Sequence, residues 1–130
     1  MDFRVILAVA VTILSSLTVG IVASAADTPV DSDRMTECFG AYDAMVALGN
    51  SKKFQDIDVE KYAAQRSKAQ AKAIELYKAE GLNEEIALDQ LAGRATYMTS
   101  ELRDLNPSGG IFGADDMRKL SADCDTLFAD

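Results

Sequence analysis

The chain has 130 residues, with 13 lysines and arginines against 21 aspartates and glutamates, a formal charge of −8, and no histidine. That balance argues against nucleic acid or an anionic membrane surface as a partner, because both attract basic patches. Without histidine the commonest general base and metal ligand is missing, which excludes histidine-based triads, c-type haem attachment, Glu-x-x-His di-iron sites and the usual Cys/His zinc site.

Residues 1–25 have the layout of a secretory signal peptide. Arg4 precedes an uncharged run from Val5 to Val22, and Ala23-Ser24-Ala25 puts small residues where a signal peptidase reads them. Cleavage is therefore expected before Ala26, giving a periplasmic or secreted protein with no membrane attachment. The alternative is inner-membrane anchoring by residues 5–22, which approach the ~20 apolar residues that cross a bilayer but are weakened by hydroxyls and Gly20. Residues 26–130 suit one domain with a modest core.

Within that domain, residues 26–33 read as a flexible leader and residues 34–130 as a helical bundle. Helix one is expected to be capped by Ser32 or Asp33 and to run to about Leu48, with Met35, Cys38, Tyr42, Met45 and Gly49 on one stripe and Gly49-Asn50 as its stop. Its back face carries Thr36, Gly40, Ala44 and Ala47. Small residues there suit either a helix buried on two sides or a homodimer through helix one.

Asp56 or Asp58 is placed to cap a second helix that ends at Gly81, with Val59, Tyr62, Ala69, Ala73 and Leu76 on its inner face and Tyr77 at the edge. Asn83 caps helix three, whose stripe is Leu88, Leu91, Ala95, Met98, Leu102 and Leu105, and Pro107 terminates it. Asp115 and Asp116 open helix four, with Met117, Leu120, Cys124 and Leu127 facing inward. Seams with this 3–4 spacing and short links predict an all-α fold, a small antiparallel four-helix bundle.

The only cysteines, Cys38 and Cys124, fall on the inner faces of the first and last helices. In an exported chain they are expected to pair as a structural disulfide. Their separation and mid-helix positions differ from the close Cys-x-x-Cys of redox enzymes. Closing a loop across 86 positions is worth about 4 kcal/mol by chain entropy.

Other chemistry meets obstacles. Asp56-Ile57-Asp58-Val59-Glu60 starts like a calcium loop, but Lys61 and Ser67 occupy the positions that need glycine and glutamate. Gly109-Gly110-Ile111-Phe112-Gly113 has glycines like a phosphate cradle, but the Lys-Ser/Thr is missing and Asp115 and Asp116 would repel an anion. Ile111 and Phe112 then either plug the end of the bundle or contact a partner. Arg66 falls within the apolar stripe of helix two, where it needs a carboxylate. Asp43 is the candidate for an ion pair, buried or at the seam edge where the arginine can also snorkel to solvent, and the alternative is an anion-binding arginine.

These residues predict no catalytic constellation, no metal and no cofactor. The expected function is a non-enzymatic protein-binding or structural module, whose partner is a protein and suits being basic. An inhibitor, immunity-type or chaperone-type binder is the narrower version. The rival of another class is a hydrolase using paired carboxylates.

Overall fold

The computed structural model describes residues 30–128, and among them the chain forms four α-helices and no strand. Helix α1 spans Ser32–Asn50, α2 Val59–Ala79, α3 Glu84–Ser100 and α4 Ala114–Asp125, followed by a 3-10 turn at Thr126–Phe128. The expected signal peptide, its cleavage site and residues 26–29 of the leader lie outside the described residues.

Each helix starts where a side chain satisfies its free amides. Asp31 accepts from the Arg34 amide at 2.8 Å, Asp58 from Lys61 at 3.1 Å and Asn83 from Ile86 at 2.9 Å. The cap of α1 is thus Asp31 rather than Ser32 or Asp33, and the helix starts at Ser32. Ser32 has another task. Its hydroxyl donates to the Glu80 carboxylate at 2.7 Å, tying the start of α1 to the end of α2. Helix α2 closes with Gly81 at φ 94, the Gly81 amide on the Lys78 carbonyl and the Leu82 amide on Tyr77, a Schellman turn.

Successive helices alternate in direction. Thr36 meets Tyr77 while Gly49 lies against Val59 and Ile57, so α1 and α2 are antiparallel. Cys38 meets Cys124 near the end of α4, while Met45 and Leu48 share a cluster with Met117 near its start. The arrangement departs from a square bundle, because α1 packs against all three other helices. Helices α2 and α3 also touch, but neither packs its backbone closely on α4. A helix surrounded in this way is apolar nearly all round. Accordingly Cys38, Ala41, Tyr42, Ala44, Met45 and Leu48 are wholly buried.

The small back face of α1 is explained within the chain. Thr36, Gly40 and Ala44 are buried, and a β-carbon on Gly40 would collide with the Met98 sulfur of α3. Helix α3 therefore packs on that face at Gly40, while Ala47 is partly exposed.

Two ends differ from expectation. Gly49 does not stop α1, which continues to Asn50. It allows close approach of Val59, and Lys52 takes the left-handed conformation at φ 69. Helix α3 ends at Ser100, well before Pro107. The chain leaves the helix because residues 101–103 pair with the connector: the Arg103 amide donates to the Phe112 carbonyl at 2.9 Å, and the Phe112 amide to Glu101 at 3.0 Å. Gly110 passes so close to the Arg103 backbone that a side chain would not fit. Leu102 is therefore buried from a turn, and Ala87 replaces Leu88, which is 41% exposed, at the start of the α3 stripe.

Two core clusters result. The first joins Met35, Cys38, Tyr42, Ala69, Ala73, Tyr77, Ala87, Leu91 and Cys124. The second takes Met45, Leu48, Ile57, Met98, Leu102 and Met117, with no buried residue from α2. Helices α2 and α3 share the first cluster and part beyond it.

Candidate functional site

A recess of about 570 Å³ lies between α1 and one flank of α3. Its lining comes from Phe39 and Asp43 of α1, Ala92, Ala95, Thr96, Thr99 and Ser100 of α3, and Asn106. Helical spacing explains the α3 wall. Leu91 and Met98 point at α1, so residues 92, 95, 96 and 99 fall on the flank turned toward α2. The recess is shallow and open to solvent, and its surface is mainly apolar with a few polar groups.

Asp43 is the only carboxylate lining this recess. One of its oxygens accepts from the Arg66 guanidinium at 2.7 Å, so the two residues singled out in the sequence do meet. Their side chains are 33% and 29% exposed, which makes the pair a half-buried bridge at the edge of the recess rather than an ion pair in the core. Asp43 already answers the charge of Arg66, which speaks against a free anion-binding arginine.

Thr99 was not legible as special. Its hydroxyl is the one buried side-chain oxygen or nitrogen among the described residues without a hydrogen-bond partner. The available signal was the run Ala92, Ala95, Thr96, Thr99: small and hydroxyl residues along one flank of an otherwise leucine- and methionine-lined helix.

The remaining expected residues separate. The Cys38–Cys124 disulfide is formed, with its Cα atoms 5.6 Å apart. Beside it the Tyr42 hydroxyl donates to Asp125 at 2.8 Å, and Gln65 donates to the same oxygen at 2.9 Å. Burial, followed by the neighbouring Asp125 carboxylate, pushes the Tyr42 phenol well above its ordinary value. Phe112 packs against the second cluster and meets Tyr97 edge-on with ring centroids 6.2 Å apart, whereas its neighbour Ile111 is 59% exposed. The two were expected to act together; one plugs the core and the other faces solvent.

The carboxylates around the connector serve the backbone. Asp104 accepts from the Ala114 amide and Asp116 from Gly113, each at 2.8 Å, which starts α4. Among the described residues no cluster of three or more candidate ligands could hold a metal ion, and no helix is long and apolar enough to cross a membrane. The disulfide is consistent with an oxidising, exported compartment. In comparisons with known proteins, no family model, no curated protein and no solved structure matches this chain.

Proposed function

We propose that this chain is a small exported, non-enzymatic helical protein that binds a segment of a protein partner in the groove lined by α1 and α3. The observation that carries this reading is the recess itself, with Phe39 and the Asp43 carboxylate on the α1 side and a wall of small and hydroxyl residues from α3. Small residues admit another backbone closely, and the hydroxyls answer its polar groups. Export is supported by the apolar run at residues 5–22, the Ala23-Ser24-Ala25 site and the disulfide. A binding role suits the carboxylates better than hydrolysis does, since Asp104 and Asp116 are engaged by backbone amides and Asp43 by Arg66.

Site-specific photocrosslinking in the producing cell tests it. A benzophenone side chain at Thr96, in the groove, should give a discrete protein adduct, and the same probe at Lys72 should not. No adduct from Thr96, or the same adducts from both sites, would contradict a groove-bound partner.

A further inference from the structure

Resting on that reading, we infer that the groove is built for a basic anchor: one lysine or arginine side chain, within an otherwise apolar partner segment, whose cation reaches Asp43. Two considerations combine. The recess is mainly apolar yet has a carboxylate, and one Asp43 oxygen, Oδ2, receives no hydrogen bond among the described residues. The alkyl stem of a lysine or arginine suits the Phe39, Ala92 and Ala95 surface while its head meets that oxygen.

Arg66 acts as the internal stand-in for that cation. It holds Asp43 at 2.7 Å while the groove is free, and it competes with the anchor for the same carboxylate.

The competition supplies a test with opposite signs. Two synthetic pentapeptides with blocked ends, Leu-Ala-Lys-Ala-Leu and Leu-Ala-Glu-Ala-Leu, are titrated into the full exported chain while backbone amide shifts are followed by NMR. The lysine peptide should move the amides of Phe39, Asp43, Thr96 and Thr99, and the glutamate peptide should not. Asp43→Asn should weaken the lysine peptide at least about threefold, the scale of one exposed ion pair, and Arg66→Gln should tighten it by a similar factor. A merely structural role for the pair would weaken binding in both variants.

Equal shifts from both peptides, shifts confined to the Tyr97 and Ile111 surface, or none at millimolar concentration would overturn the basic anchor. If the Thr96 crosslink succeeds while the lysine peptide is ignored, the anchor chemistry fails and the protein-binding reading stands. If both fail, the reading falls with it.

Discussion

The sulfur of Met98 occupies the space that a β-carbon on residue 40 would need, and Arg94 Cγ lies 2.9 Å from the same point. Gly40 is therefore a contact residue between α1 and α3, placed mid-helix despite the entropic cost of glycine there. Gly93 is a glycine of the same kind in α3, yet a β-carbon there would meet nothing within 4 Å. The two should respond in opposite directions. Gly40→Val should destabilise the fold by about 2 kcal/mol through overpacking, and Gly93→Ala should stabilise it by roughly 0.5–1 kcal/mol through helix propensity. Urea unfolding of both variants checks this, and a loss at both positions would show that α3 is more tightly covered than its surroundings indicate.

That contrast marks what the residue pattern conveys and what it does not. The inner stripe of α4, the cap at Asn83 and the turn at Gly81 were legible because each rests on local chemistry: periodicity, a side-chain acceptor, a left-handed glycine. The role of Gly49 and the early end of α3 were not, since both depend on distant residues. Gly49 looks like a stop until Val59 and Ile57 pack on it, and Leu102 looks helical until Phe112 pairs beside it. The Arg66–Asp43 pair was legible from its misplaced charge. The groove was not, because it is made by α1 and α3 together, and neither helix alone marks it except through the small and hydroxyl flank of α3.

The disulfide should matter most for α4, which packs its backbone closely on α1 but not on α2 or α3. Reducing the bond, or replacing both cysteines by serine, should cost about 4 kcal/mol if the closed loop restricts the unfolded chain as chain entropy requires. The loss should not be uniform. Amide exchange across Ala114–Asp125 should accelerate more than across α2, because locally opened α4 is then no longer tethered to α1. Equal acceleration in the two helices would mean that the fold opens as one unit.

Tyr42 makes stability depend on alkaline pH. Its folded pKa is raised, chiefly by burial and then by the hydrogen bond to Asp125, so the fold holds the phenolic proton more tightly than the unfolded chain does. The contribution is complete below the unfolded value of about 10 and is lost as the pH rises beyond it. The urea midpoint of the native chain should therefore fall more steeply above pH 10 than that of Tyr42→Phe. The variant itself should be weaker by about 1–2 kcal/mol at neutral pH, having lost the bond to a charged acceptor. Parallel curves for the two proteins would show that Tyr42 ionises as freely in the fold as outside it.

Thr99 separates stability from function. Its hydroxyl is buried beside the groove with no partner, and an unsatisfied group of that kind costs about 1–3 kcal/mol. Valine keeps the β-branched shape and removes the oxygen, so Thr99→Val should raise stability by about 1 kcal/mol, an increase of roughly 4–8 °C in Tm for a domain of this size. On the proposed binding role, a turn about χ1 would exchange its methyl and hydroxyl and present the oxygen to the bound segment. The more stable variant should then give less of the Thr96 crosslink in cells. A destabilised Thr99→Val would instead show that the hydroxyl is hydrogen-bonded in solution, and that water reaches this wall of the groove before any partner does.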